Sequence, residues 1–377
     1  MKSRVTKALR SVASIGVTAA ASLSRSLQSP GDAALGFLFT HRYQRFYLEN
    51  LYEVAAHVAH ARRIRVMARS DYAFQVSLWQ KMRGYDYLIH TRPFQTNAFY
   101  NRNTQHVLMS HGIDTGIYDD LGTLSFGHGR VLDAQRNRLY SHLLVGFEWA
   151  REAAECEVPE YRDRVLVIGD RRRDRVVQLE NQRPRVRNEF ALEAHERCVV
   201  IATTHSGRCL IANHFHDLVT LLETEIPGIR YQVVVHPYAA SKYPDQYTHL
   251  TRLCERHGPR VQIADQRRLD ELLVAADLMI SDHGSLSMYY ALLRRPLAYV
   301  SLDDRLRPDF PLMSILKSSF RLRHLREAFD LIHALAEGRL QSQMNPGVLD
   351  RLDRFGGPFE EQARKVLESL VLDLGRQ

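Results

Sequence analysis

Short apolar runs separated by helix-length segments recur along most of the chain, and few architectures accommodate such an alternation. A first set comprises Ile64-Arg65-Val66-Met67-Ala68, Tyr87-Leu88-Ile89, Val107-Leu108-Met109, His142-Leu143-Leu144-Val145-Gly146 and Val165-Leu166-Val167-Ile168-Gly169. Ahead of it, Leu48, Leu51, Tyr52, Ala55, Ala56, Val58 and Ala59 suit one face of a helix. A polar stretch, Asn181-Gln182-Arg183-Pro184-Arg185, then reads as a linker. The pattern restarts with Val199-Val200-Ile201-Ala202, a helix over Phe215 to Leu222 closed by Pro227-Gly228, and a strand over Tyr231 to Val235. Val261-Gln262-Ile263, Leu278-Met279-Ile280 and Leu297-Ala298-Tyr299-Val300 follow. Strands that are short and continuously apolar belong in parallel sheets covered by helices on both faces. The last segment is a helix with Phe359, Ala363, Val366, Leu367 and Leu370 on one side. The fold class expected is α/β, with two Rossmann-like lobes whose parallel sheets face a central cleft. Open parallel sheets bind ligands at the carboxyl ends of their strands, so the chemistry is sought there.

Composition narrows the partners. The chain carries 51 Lys and Arg against 43 Asp and Glu, a net charge of +8, which favours phosphates, nucleotides, nucleic acid or an acidic membrane surface. No apolar run reaches the length of a membrane span. Cys156, Cys198, Cys209 and Cys254 form no C-x-x-C pair, which suits a reducing compartment and no structural zinc. Residues 1–28 form a basic arm. In it Lys2, Arg4, Lys7 and Arg10 precede a weakly apolar stretch from Val12 to Leu23. An interfacial helix on an anionic inner leaflet, a flexible basic tail and an export signal all fit this pattern.

Three constellations follow strand candidates directly. Ser110-His111-Gly112-Ile113-Asp114 sits after Val107-Leu108-Met109. An imidazole there titrates near neutrality and suits a general base, and Gly112 lets the backbone approach a ligand. His236-Pro237 ends the run from Tyr231 to Val235, where the imidazole can donate to a phosphoryl oxygen. Ser281-Asp282-His283-Gly284-Ser285-Leu286-Ser287 joins a strand to a helix. Its backbone N–H groups near Gly284 and Ser285 suit a phosphate cradle, with Ser281, Ser285 and Ser287 as hydroxyl donors. Asp282 can cap the helix or hold a ligand hydroxyl. His205, after another strand, also faces the expected cleft, and the Arg171-Arg172-Arg173 run can meet a pyrophosphate. For each constellation an ordinary strand-end or capping turn is the alternative.

Other chemistries lack their residues. Asn213, His214, His216 and Asp217 look metal-like, yet His214 and His216 do not share a helix face, and no H-E-x-x-H occurs. No metal site is expected. There is no Walker motif, no strand-coupled G-x-G-x-x-G and no G-x-S-x-G elbow.

His111-Gly112, His236-Pro237 and Ser281-Asp282 followed by Ser285, in that order, resemble the CDP-glycerol glycerophosphotransferase family, which primes or polymerises teichoic acids. The resemblance covers roughly residues 60–345 through these islands. It implies a two-lobed GT-B fold, which the arm and linker read above divide into a basic arm at 1–28, an acceptor-side lobe at 29–185 and a nucleotide-binding lobe at 186–350. A C-terminal helix at 351–377 would pack back on the first lobe. It further implies that His111 is the base, that His236 contacts the nucleotide diphosphate, and that the Ser281–Ser285 segment holds phosphate. Departures are visible. His283 and Gly284 replace an aromatic and a serine. Met288, Tyr289 and Tyr290 stand where the family often has an acidic residue. Gly169-Asp170-Arg171-Arg172 matches a Gly-x-Pro-Arg segment only partly, and Thr203-Thr204-His205-Ser206 lacks the usual Trp-Arg.

The function implied is transfer of a glycerol-phosphate or related phosphopolyol unit from a CDP-activated donor to an acceptor hydroxyl. A lipid-linked saccharide, a growing polymer and a small metabolite are all open as acceptor, and the basic arm favours one at the inner face of the cell membrane. No tightly bound cofactor is expected, and Mg2+ would arrive with the donor diphosphate. A nucleotide-sugar donor with a GT-B glycosyltransferase activity is the runner-up. A UDP-sugar 2-epimerase-like enzyme and a non-enzymatic nucleic-acid-binding or scaffold protein come after it.

Overall fold

A computed structural model describes residues 33–39, 50–58, 61–68, 86–91, 105–110, 131–205, 207–282, 284–300, 311–354 and 357–374. Two six-stranded sheets organise it. The first has the order β2-β1-β3-β4-β5-β6, with β1 at Ala33–Phe39, β2 at Ala61–Ala68, β3 at Tyr87–His90, β4 at Gln105–Met109, β5 at His142–Val145 and β6 at Val165–Val167. The second comprises β7 at Arg197–Thr203, β8 at Ile229–Val235, β9 at Val261–Ile263, β10 at Leu278–Ser281, β11 at Leu297–Val300 and β12 at Phe320–Leu322, in the order β12-β11-β10-β7-β8-β9. Every paired strand runs parallel to its neighbour.

The apolar runs became strands because burial on both faces rewards them. Tyr87, Leu88, Ile89, Leu143, Leu144, Val145, Val199, Val200, Ile201, Leu278, Met279 and Ile280 are all buried. β1 and β12 were not anticipated. Gly36 interrupts the apolar run of β1, and β12 is a three-residue edge strand with Arg321 exposed at its centre. Neither offers a period long enough to read.

The chain separates into two compact units that part between Arg171 and Arg172, upstream of the boundary expected near residue 185. The expected linker is instead the helix Arg183–Glu189, with Pro184 in its first turn, where the missing N–H costs nothing. Its arginines bind it to the second sheet. Arg183 and Arg187 reach the two oxygens of Asp277 at 2.6 and 2.8 Å, and Arg187 also donates to Ala275 O at 3.0 Å. Asp277 is held below the usual carboxylate range against its own burial. The Cys198 N–H and the two guanidiniums overcome that burial.

In the first unit the C-terminal helix Phe359–Leu374 lays Phe359, Ala363, Leu367, Leu370 and Val371 on a core of Leu35, Leu51, Ala55, Tyr87, Ile89, Val107, Met109 and Leu144. Gly169 permits this approach. Its φ is +76°, and a Cβ there would lie 2.8 Å from the Phe359 Cα.

The other face of this sheet carries a pair of imidazoles, His90 buried and His106 half-buried. His90 Nε2 lies 2.9 Å from His106 Nδ1, and the Tyr140 ring meets His90 edge-on at 6.1 Å. Burial lowers the His90 pKa well below 6.5, helped by His106, and burial lowers that of His106 to about 4. Both rings are therefore neutral in the fold at pH 7, whereas an unfolded imidazole takes a proton below 6.5. Stability should be complete above that value and fall as pH drops toward 4. We expect about 2–4 kcal/mol less unfolding free energy at pH 5 than at pH 7. Urea melts of wild type and His106→Gln over this range check it. The same slope in both proteins would refute the assignment.

Candidate functional site

The strand order of the second sheet, counted from β7, is 3-2-1-4-5-6, that of a dinucleotide-binding sheet. Its direction reverses between β7 and β10. The two strands pair from Leu278 and Val199 to Ser281 and Ala202, so their carboxyl ends lie side by side at the reversal. The carboxyl ends of β7, β8 and β10, with the residues directly after them, carry Thr203-Thr204-His205, His236-Pro237-Tyr238 and Ser281-Asp282, respectively.

His236 extends the β8 pairing, with its N–H donating to Thr203 O at 3.2 Å, before Pro237 and the helical turn Ala239–Lys242 bend the chain away. The Tyr238 N–H donates to His236 Nδ1 at 3.2 Å. A neutral His236 therefore carries its proton on Nε2, which makes that atom a hydrogen-bond donor. The His205 ring stacks on His236 with centroids 4.1 Å apart, and the Tyr238 ring flanks both at 5.5 and 5.7 Å. Lys242 Nζ donates to His205 O at 3.1 Å. Tyr238 and Lys242 were not among the expected site residues. Only the turn after Pro237 brings them back to the strand ends.

Asp282 takes a different role from either expected one. It is 1% exposed and does not cap the following helix, Leu286–Ala291. Its Oδ2 instead accepts from the Thr204 N–H at 2.8 Å, the Thr204 hydroxyl at 3.2 Å, the Leu210 N–H at 3.3 Å and the Thr203 hydroxyl at 3.4 Å. Its Oδ1 and the Ser281 Oγ, both buried, have no hydrogen-bond partner among the described residues. Ser281, expected as a phosphate donor, points into the protein rather than outward.

Gly284 sits close beneath Thr204, whose Cγ2 would lie 3.2 Å from a Cβ at this position. Ser285 is half-buried at the helix N-cap and makes no capping hydrogen bond. Ser287, expected as a further phosphate donor, is fully buried. Its hydroxyl donates to Gly284 O at 2.6 Å and meets the Tyr299 hydroxyl, so it stitches the loop from below. Burial, reinforced by the Asp282 charge, raises the Tyr299 pKa well above that of a free phenol.

The arginine run is also committed. Arg171 Nη1 donates to Asn50 Oδ1 and Glu53 Oε2, both at 2.6 Å, within the first unit. Arg172 pairs with Asp270 at 2.7 Å, its guanidinium 5.6 Å from the Tyr289 ring centroid, and Arg173 pairs with Asp353 at 2.8 Å. Carboxylates and the Asn50 amide oxygen receive these guanidiniums. Ser110 closes β4 through its N–H to Leu144 O at 2.9 Å. His111 and Gly112 lie outside the described residues, as does His283. Among the described residues no group of three or more His, Cys, Asp or Glu side chains could hold a metal ion. His214 and Asp217 approach at 3.7 Å, and His214 and His324 ring centroids are 6.2 Å apart.

Residues 47–306 match the family model for CDP-glycerol:poly(glycerophosphate) glycerophosphotransferases, more than half of the chain. The chain belongs to this family. A glycerophosphotransferase of this type is a transferase that takes glycerophosphate from CDP-glycerol. Its fold is shared with the wall teichoic acid polymerase TagF, at a TM-score of 0.61 and 14% identity over 100% of this chain and 99% of that one. A TagF variant with CDPG gives a TM-score of 0.60 at 14% identity, over 99% and 98% of the two chains. An S. aureus MnaA–UDP structure gives 0.60 at 13% identity, over 91% and 97%. No match is found among curated proteins. The family assignment agrees with the resemblance carried by the strand-end islands. The GT-B enzymes among these structures share the doubly wound α/β architecture of the glycerophosphotransferase described here.

Proposed function

We propose that the enzyme extends or primes a teichoic-acid-type polymer, transferring glycerophosphate from CDP-glycerol to a hydroxyl of a lipid-linked or polymeric acceptor at the inner membrane face. The observation that carries the reading is the gathering of His205, His236, Asp282 and Gly284 where the second sheet reverses. The Gly284 and Ser285 backbone N–H groups hold the donor diphosphate, and His236 Nε2–H donates to one of its oxygens. His111 removes the proton from the acceptor hydroxyl. The hydroxyl oxygen then bonds to the glycerol-bearing phosphorus. The bond from that phosphorus to the bridging oxygen breaks, and CMP leaves with the oxygen. Positioning and charge stabilisation supply most of the acceleration, as in other phosphoryl transfers. The reading includes no resident cofactor, and Mg2+ travels with the diphosphate.

Among the described residues no helix is long and apolar enough to cross a membrane. The basic arm at 1–28 lies outside the described residues, and the proposal uses it to hold the enzyme at an anionic surface. Calorimetric titration with CDP, CMP, UDP and GDP tests the donor, coupled to an assay of CMP release from CDP-glycerol. Cytidine-selective binding with CMP release is expected. Selective UDP or GDP binding would replace this reading with a nucleotide-sugar enzyme.

A further inference from the structure

The geometry points to Asp282 as a positioning residue for the reaction. From the end of β10 it grips both ends of the connection that follows β7, so that the His205 ring rests against His236. The inference rests on His236 as the ligand of the donor diphosphate.

Asp282 crosses the reversal point of the sheet. Its Oδ2 takes the backbone N–H and hydroxyl of Thr204 on one side and the Leu210 N–H on the other. The Thr203 hydroxyl, also directed at Oδ2, accepts in turn from the Ile211 N–H at 3.2 Å. His205 is the residue immediately after this anchored pair of threonines. Its ring lies 4.1 Å from that of His236, at an interplanar angle of 29°. Stacking on one face and the Tyr238 N–H at Nδ1 together restrict rotation of the His236 ring. The direction of Nε2–H is thereby set before a donor arrives, which is what makes a hydrogen bond effective in a transition state.

A second observation separates this role from plain core packing. Among the described residues all the hydrogen bonds of the carboxylate fall on Oδ2, while Oδ1 and the Ser281 Oγ are buried without a partner. A residue retained for stability alone would not leave a buried charged oxygen unpaired, since that costs free energy. A single acceptor oxygen, as in asparagine, is enough for the bonds seen. The charge strengthens those bonds roughly twofold over neutral ones and stiffens the anchor. The structure thus gives up stability at a point that orients two imidazoles.

The test compares the full-length wild type with Asp282→Asn, Asp282→Ala and the milder Thr204→Val. Two readouts are used: the ring resonances of 13C-labelled His205 and His236 without ligand, and steady-state release of CMP from CDP-glycerol. Resonances are assigned with His205→Gln and His236→Gln. We expect Asp282→Asn to be at least as stable as wild type in thermal melts. Its kcat should fall about 10-fold, its KM should stay within about threefold, and both imidazole resonances should move. Asp282→Ala should lose about 100-fold in kcat. If it does not fold, Thr204→Val reads the same anchor, with a smaller loss and shifts in the same direction. Wild-type resonances in a folded Asp282 variant would overturn the proposal, as would loss of stability without loss of kcat. Failure of the donor reading shows separately, as no CMP release by wild type, and the resonances then decide alone.

Discussion

His236→Ala should lower kcat/KM for CDP-glycerol by about 10²–10³-fold, or about 2.7–4 kcal/mol of transition-state stabilisation. The Tyr238 N–H occupies Nδ1 and leaves Nε2 as the proton-bearing atom, so the imidazole is a donor to developing phosphate charge rather than a base. This predicts a specific pattern among substitutions. His236→Gln restores an N–H near the Nε2 position and should recover part of the loss, whereas a lost base would not be rescued by an amide that cannot take up a proton. CDP binding should weaken in the Ala variant, because the same donor contacts the ground-state diphosphate. Calorimetry and initial rates on the three proteins check this. Equal activity in the Gln and Ala variants would sink the donor role.

His111→Ala should reduce turnover by about 10³-fold, within the range of a lost general base, with CDP affinity changed by less than about threefold. In sequence the residue comes directly after Ser110, which closes β4, a strand inside the first sheet. The family's His-Gly pair maps onto it. A base acts on the acceptor hydroxyl only in the chemical step, so kcat should carry the loss while KM for the donor holds. The acid limb of the kcat–pH profile expected of wild type should vanish in the variant. Unchanged kcat in folded His111→Ala, or a loss confined to donor binding, would remove the assignment.

Much of the fold was legible because parallel sheets write themselves as short apolar runs. β3 to β11 all coincide with runs visible in the sequence, and the helix Phe359–Leu374 shows its buried face as a period of three to four residues. What was misread follows from local ambiguity. Polar residues and a proline made 181–185 look like a linker. A helix that spends Arg183 and Arg187 on one half-buried aspartate and nearby carbonyls has the same composition as a loop. The arginines after Gly169 looked available for a pyrophosphate because sequence shows charges but not their distant partners, here Asn50, Asp270 and Asp353.

The candidate site divides along the same line. Sequence alone determined the α/β class, the strand-end positions of His205, His236 and Asp282, and the family, since each depends on residues adjacent in the chain. Only the tertiary structure decided that Asp282 faces Thr204, 78 residues away, that Ser287 turns inward to Tyr299, and that His205 stacks on His236. Those outcomes depend on β10 pairing with β7 rather than with β9. Strand order is set by packing of the whole sheet and its covering helices, and no local period records it.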